Sequence, residues 1–291
     1  MSRFTDFGGR NVRSLMSNAV PLRPLTAGEL LDAAVGLLRN NAVALLGSAA
    51  VLAAVEQLAL YPLRRYAIAM PPYYLPTYDD RSAQYWLLIA VGFATEAVII
   101  ALLGGLAATA AGAAVNGRRL GPRTLLAWRG RRVLATVLVA AVVGLIAGLG
   151  AIACWLPWLA GYGLLGLAVP VLVVDGRGPL SAVARSAALA SRLGLRAARL
   201  RLTGYPAWLA VRLALGLGGL TVLSLVLPST DTWALVAGTV TWIMVNTVSY
   251  AMLACLDSVL HLETRMRTEG LDIVAVRARQ LGQQVDLAVP R

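Results

Sequence analysis

The sequence predicts an all-α fold: a polytopic membrane protein with six transmembrane helices plus amphipathic helices on the cytoplasmic side. Three observations predict it. The chain of 291 residues is 58% hydrophobic and only 14% charged, whereas a soluble domain carries about 45–50% apolar and about 25% charged residues. Its apolar residues gather into six runs, each at or near the roughly 20 residues that cross a hydrocarbon core of about 30 Å. Its 26 basic residues are all arginine and fall in clusters between those runs. Composition therefore excludes an ordinary soluble enzyme, a disordered chain and a disulfide scaffold. Cys154 and Cys255 both sit in apolar runs and offer neither a disulfide framework nor a zinc cluster. A net charge of +12 would point a soluble protein towards nucleic acid. Here the arginines flank membrane spans, and nucleic acid is not an expected partner.

The expected organisation is a cytoplasmic N-terminal segment at 1–25, a six-helix membrane domain with an interfacial entry helix at 26–268, and a cytoplasmic C-terminal tail at 269–291. Residues 1–25 are polar and lack the apolar stretch of a cleavable signal peptide, so the first span is expected to stay in the membrane.

The entry helix starts at Thr26-Ala27-Gly28-Glu29, a capping box in which the Thr hydroxyl accepts from the third amide and the Glu reaches back. It places Glu29, Asp32, Gly36 and Arg39 on one face and Leu31, Ala34, Val35 and Leu38 on another. It should therefore lie flat on the inner leaflet.

The spans are expected at 41–61, 85–115, 133–153, 159–174, 205–227 and 233–256. The second is long enough to tilt. The fourth is short, contains Pro170, and follows the third across Trp155-Leu156-Pro157-Trp158. The two are expected to cross as a hairpin, with a kinked or re-entrant pair as the alternative. The 62–84 connection carries Pro71, Pro72 and Pro76 with Tyr66, Tyr73, Tyr74 and Tyr78. It reads as an irregular flap on the outer leaflet. Residues 121–132, with Leu125, Leu126 and Trp128 among arginines, read as an interfacial piece.

Orientation follows from the positive-inside rule. Counted in the sequence, 22 arginines fall on the side of the termini and three, Arg64, Arg65 and Arg81, on the other. Arg212 lies inside a span. Both termini are expected in the cytoplasm. Pro179 suits the first turn of a further helix. On it Arg185, Arg192, Arg196 and Arg199 recur at helical spacing as a basic stripe, with Leu180, Val183, Ala187 and Ala190 largely opposite. Anionic lipid headgroups or an acidic cytoplasmic partner would suit that stripe.

The motif Gly161-Tyr162-Gly163-Leu164-Leu165-Gly166 fits the dinucleotide fingerprint only formally, for it follows no strand and lies inside a span. Small residues there serve helix packing, as do Gly144 and Gly148, a GxxxG pair, and Gly104, Ala108 and Gly112. A lone histidine, His261, has Asp257 one turn before it and Arg265 one turn after. It makes no metal site, and Asp79 and Asp80 more plausibly cap a loop. No catalytic set and no cofactor are expected.

The intramembrane charges are the sharpest local signal. Glu56, Glu96 and Arg212 each cost about 2.5–3.5 kcal/mol at mid-helix, so they should face the bundle interior and pair. At 1.5 Å per residue, Glu96 lies roughly 16 Å from the outer end of its span and Arg212 roughly 12 Å from the inner end of its own. A Glu96–Arg212 pair is therefore expected, either as structural glue or as part of a polar cavity. Thr241, Asn246 and Ser249 are candidates to line the same interior.

Three patches carry a resemblance. They are Pro21-Leu22-Arg23-Pro24-Leu25-Thr26-Ala27-Gly28-Glu29-Leu30-Leu31-Asp32; Val173-Val174-Asp175-Gly176-Arg177-Gly178-Pro179-Leu180-Ser181-Ala182 with Arg185-Ser186; and Glu263-Thr264-Arg265-Met266-Arg267-Thr268-Glu269-Gly270-Leu271-Asp272. In these the sequence resembles the bacterial membrane domain found fused to some glycerophosphoryl diester phosphodiesterases and in many stand-alone membrane proteins. The resemblance implies a six-helix membrane domain. The phosphodiesterase activity belongs to a separate soluble domain for which these 291 residues leave no room, and it is not carried over.

The sequence thus leads to a non-enzymatic membrane module, a scaffold or accessory for a membrane or cell-envelope complex in the bacterial cell membrane. The alternative is the permease subunit of an ABC-type exporter or another small-molecule or lipid transporter. The lipid bilayer is the expected partner, with an unidentified membrane or cytoplasmic protein and a second copy of the chain as further candidates.

Overall fold

A computed structural model of the protein describes residues 21, 23–70, 82–127, 131–153, 156–226 and 231–289. Among them run ten helices and no strand: α1 (Ala27–Asn40), α2 (Ala42–Tyr66), α3 (Ser82–Val115), α4 (Pro122–Leu126), α5 (Arg131–Ile152), α6 (Leu156–Leu165), α7 (Ala168–Val174), α8 (Pro179–Val226), α9 (Asp231–Glu269) and α10 (Leu271–Gln280). Six helical stretches are long and apolar enough to cross a membrane, with α6 and α7 together forming the fourth. The chain is an all-α multi-pass membrane protein. The end of the bundle that carries α1 and α10 is called basal below, and the opposite end apical.

The capping box forms as the sequence dictates. The Glu29 amide donates to the Thr26 hydroxyl and the Thr26 amide donates to the Glu29 carboxylate. The packed face of α1 differs from the expected one. Leu30, Ala33, Ala34 and Leu37 are buried, while Leu31 and Val35 are exposed. α1 packs against the basal end of α9 rather than resting on lipid alone. Its apolar residues cover more than one stripe, and the stripe that meets protein is set by α9.

Helix α2 continues through Pro62 to Tyr66, so the 62–84 connection is helical at its start. Proline removes one donor, a small loss within a turn of the helix end. Tyr73, Tyr74, Tyr78, Asp79, Asp80 and the prolines at 71, 72 and 76 lie outside the described residues. So does Trp128 of the 121–132 piece, in which α4 buries Leu125 and exposes Leu126.

The glycines explain the close helix pairs. A Cβ on Gly144 would come within 2.3 Å of Val98 Cγ2, and one on Gly148 within 3.0 Å of Ala94 Cβ, so the GxxxG pair seats α5 on α3. A Cβ on Gly150 would meet the Trp158 amide at 2.5 Å, which is how α5 and α6 close their hairpin. The fourth span breaks between Leu165 and Ala168 because the Pro170 ring excludes a helical carbonyl at Gly166. The Ser186 hydroxyl donates to the Leu164 carbonyl left at the break, at 2.7 Å.

Two elements differ from expectation. α8 is not continuous: Arg192 to Leu195 leave helical geometry, and Leu193, Gly194 and Leu195 are left-handed, with φ of 52°, 65° and 62°. α9 does not end near 256 but runs to Glu269, and every residue from 249 to 266 is buried. It is the central column. The described part of the C-terminal segment, 271–289, packs against the bundle. Leu271, Ala275 and Val285 are buried, the Val285 amide donates to Asn116 Oδ1 at 2.7 Å, and the Val289 amide donates to the Asp175 carbonyl.

Candidate functional site: an intramembrane polar cavity

One face of α9 carries a polar residue almost every turn: Asn246, Tyr250, Asp257, His261, Arg265 and Glu269. The other helices supply its partners in two separate groups.

In the apical half, α2, α3, α8 and α9 enclose a cavity of about 380 Å³. Glu56 and Gln57 come from α2, Phe93 and Glu96 from α3, Tyr205 and Arg212 from α8, and Trp242, Asn246 and Tyr250 from α9. Arg212 Nη1 donates to Glu96 Oε1 at 2.8 Å, with both residues buried. Their matching depths along α3 and α8 bring these two side chains to one level. Arg212 Nη2 donates to the Tyr250 hydroxyl at 3.3 Å, and that hydroxyl donates to Glu56 Oε2 at 2.8 Å. The Thr95 hydroxyl lies 2.9 Å from Glu56 Oε1, and Asn246 Nδ2 donates to Glu56 Oε2 at 3.4 Å. Glu56, Glu96 and Arg212 thus form one network with Tyr250 as the bridge. Ser249 is buried but does not line the cavity, and Thr241 packs its methyl towards Gly219.

Arg64 and Tyr85 line the cavity near its apical end, with Arg64 donating to Gln57 Oε1 at 2.6 Å. On the α8 wall Leu213 and Leu217 line it and are 43% and 51% exposed, so the cavity opens laterally there. Its floor is aromatic. Phe93 meets Trp158 edge-on at 4.9 Å, Trp158 stacks on Tyr162 at 5.3 Å, and Tyr205 meets Tyr162 at 4.8 Å.

Beneath that floor the basal half is closed by ion pairs. Arg201 is bidentate to Asp257, at 2.6 and 2.9 Å, and lies 4.0 Å over the Tyr162 ring. A Cβ on Gly166 would fall 1.7 Å from the Arg201 guanidinium carbon, so only glycine leaves room for it. Next comes Asp175, fully buried at its carboxyl. It meets Arg185 Nε at 2.6 Å, Arg265 Nη1 at 2.9 Å and His261 Nε2 at 3.0 Å. Burial alone would push this carboxyl up; the contacts with His261, Arg265 and Arg185 outweigh it and hold it below the usual carboxylate range. Arg185 also reaches Glu269 at 2.7 Å, and Glu263 takes Arg196 at 3.1 Å together with Arg267.

This corrects the basic stripe. Arg185, Arg192, Arg196 and Arg199 do not present one lipid-facing row, because the break at Arg192–Leu195 separates Arg185 from Arg196 and Arg199. The acids of α9 draw Arg185 and Arg196 inward. Arg192 stands 3.6 Å from Glu269 with its side chain 46% exposed, and Arg199 is exposed. His261 is paired with Asp175, not with the Asp257 one turn away. Among the described residues no group of His, Cys, Asp and Glu is arranged to hold a metal ion. Sequence reasoning missed Tyr250, Thr95 and the Arg201–Asp257 pair. The available signal for Tyr250 was its place one turn after Asn246 on the same α9 face.

No family model matches the chain, nor does any curated protein or any solved structure.

Proposed function

We propose that this multi-pass membrane protein takes a small, largely apolar molecule into the apical cavity and acts as a transporter or carrier rather than as an enzyme. The observation that carries this reading is the pairing of a roomy, laterally open cavity with buried charges at its wall. Ligand pockets of about 300–1,000 Å³ with apolar walls and a few placed polar groups are the usual form of a small-molecule site. Ionisable groups within spans mark substrate or ion pathways. Under the arginine asymmetry both termini lie in the cytoplasm of a bacterial cell, so the cavity lies in the outer half of the membrane. The aromatic floor and the Arg201–Asp257 pair then form the inner closure, and this is an outward-facing state.

The sequence favours a scaffold, and the cavity is what supports the carrier reading over it. One observation still favours a scaffold: the apical arm of α8 exposes Val211, Leu215, Val222 and Leu225 with little packed against them. A second membrane chain would suit that arm.

The test uses 4-phenylbutanol as a neutral probe, titrated calorimetrically into the protein in phosphatidylcholine nanodiscs. Gly92 lines the cavity, and a Cβ there meets nothing within 4 Å. Gly92→Phe should fill the space and abolish saturable binding. No saturable binding to the wild type, or equal binding to Gly92→Phe, would refute the reading.

A further inference from the structure

We propose that the apical cavity recognises a protonated amine on an apolar body, with the Glu56 carboxylate as its counter-ion and Asn246 Oδ1 as a second acceptor. This rests on the reading of the cavity as a binding site.

Charge comes first. Glu96 has its cation, Arg212, at 2.8 Å. Glu56 is 4% exposed, and its hydrogen-bond partners Thr95, Tyr250 and Asn246 are all neutral. Neutral donors orient a carboxylate without supplying the opposite charge that offsets its desolvation. Glu56 therefore has no cation in direct contact, for Arg64, the other arginine that lines the cavity, donates to Gln57. Arg212 does not supply one, since it reaches Glu56 only through the Tyr250 hydroxyl.

A second, independent observation points the same way. Asn246 is also 4% exposed and lines the cavity, and its Oδ1 is buried with no hydrogen-bond partner. The Nδ2 bond to Glu56 fixes the amide orientation, because the flipped amide would set an oxygen against the carboxylate. An unpartnered acceptor beside an unpaired carboxylate calls for a group that is positive and carries several N–H donors. An ammonium does this, whereas a quaternary nitrogen satisfies only the charge.

The remaining wall suits the rest of such a molecule. Phe93, Tyr205 and Trp242 line the cavity and give an aromatic wall suited to a cation on an apolar body. Arg212 Nε is buried without a partner on the same wall. With Glu96 neutralising the same guanidinium, it calls for no anion.

Two sources supply this chemistry: the primary ammonium of an ethanolamine lipid headgroup entering past Leu213 and Leu217, or a free amphiphilic amine. The experiment compares 4-phenylbutylamine with 4-phenylbutanol, which differ at the polar end alone, in phosphatidylcholine nanodiscs. The amine should bind the wild type at least tenfold more tightly. Glu56→Gln keeps the shape and should remove that advantage. Adding phosphatidylethanolamine to the nanodisc should weaken amine binding if the headgroup is the occupant and leave it unchanged if a free amine is; both results support ammonium recognition. Equal affinities for amine and alcohol in the wild type would overturn it, as would amine binding unaffected by Glu56→Gln. If both probes bind equally and Gly92→Phe abolishes both, the cavity reading survives and the amine inference alone falls. If neither binds saturably, both fall.

Discussion

The two halves of the bundle solve the same problem, charge inside a membrane protein, in opposite ways. In the basal half the Arg201–Asp257 pair borders a space of only about 20 Å³, room for roughly one water. In the apical half Arg212, Glu96 and Glu56 border about 380 Å³. Basally each buried acid holds a guanidinium directly: Asp257 with Arg201, Asp175 with Arg185 and Arg265, Glu263 with Arg196 and Arg267. Apically only Glu96 holds a guanidinium directly, and Glu56 is held by neutral groups alone. Directly paired charges with almost no adjoining space make a wall, and a carboxylate without a direct cation beside a roomy space makes a site.

The largest expected effect lies in the wall. Arg201→Leu leaves the Asp257 carboxylate buried with both its charged hydrogen bonds gone, a loss of about 3–5 kcal/mol for a broken buried pair. Arg212→Leu strips Glu96 in the same way, but the adjoining cavity admits water, and about 1–3 kcal/mol is expected. Thermal melts and denaturant titrations in one detergent compare the two. A greater loss at Arg212 than at Arg201 would break the contrast.

The apical pair comes next. Glu96→Leu and Arg212→Leu should each destabilise, and the double variant should recover much of the loss, for a coupling of about 0.5–3 kcal/mol. Exchanging the charges, Glu96→Arg with Arg212→Glu, should be better tolerated than either half. Simple addition of the two single losses would mean that the residues act independently.

A glycine in each half sharpens the contrast further. Gly166→Ala sets a methyl 1.7 Å from the Arg201 guanidinium carbon, and the bidentate bond to Asp257 prevents that group from yielding. About 1–3 kcal/mol of overpacking loss follows. Gly92→Ala meets open space in a helix and should gain about 0.5–1 kcal/mol. Melting shifts of the same sign in both variants would contradict the assignment of wall and cavity.

The legible part of this fold was whatever lies along one segment. Six apolar runs, the Thr26 capping box, the Gly144/Gly148 pair and the depths of Glu96 and Arg212 are all one-dimensional facts. The break in α8 was not legible, because the left-handed geometry at Leu193 and Leu195 goes against local preference and Gly194 is its single sequence signal. Once the break is missed, Arg185 and Arg196 look like a solvated stripe, since the α9 acids that hold them, Glu269 and Glu263, lie 84 and 67 positions away. Arg201 was counted with the basic cluster that orients the chain, and Asp257 with His261. Nothing in either segment shows that the two meet. The packed face of α1 failed for the same reason: both of its stripes are apolar, and α9 selects one.

The smallest effect expected sits where the basal wall meets the chain entry. The Leu25 carbonyl accepts from Arg196 and from Arg267, at 2.9 and 2.8 Å, so the capping box beginning at Thr26 holds a residue that both arginines use. Glu29 carries the box. The Arg23 hydrogen bond, then the Thr26 amide and hydroxyl, hold its carboxyl down to about 2. A depressed folded pKa contributes stability above the ordinary value near 4.5 and loses it as the pH falls towards 2. The melting temperature of the wild type should therefore fall more steeply between pH 5 and pH 3, roughly the window set by these values, than that of Glu29→Gln. The difference between the two curves isolates Glu29 from every other carboxyl, Asp175 included. Thr26→Ala should cost about 1 kcal/mol at neutral pH and shrink the same difference, because the hydroxyl, one of the three groups that donate to Glu29, is lost. Parallel curves for wild type and Glu29→Gln would show that the box adds nothing to the wall, and that Leu25 is held by the arginines alone.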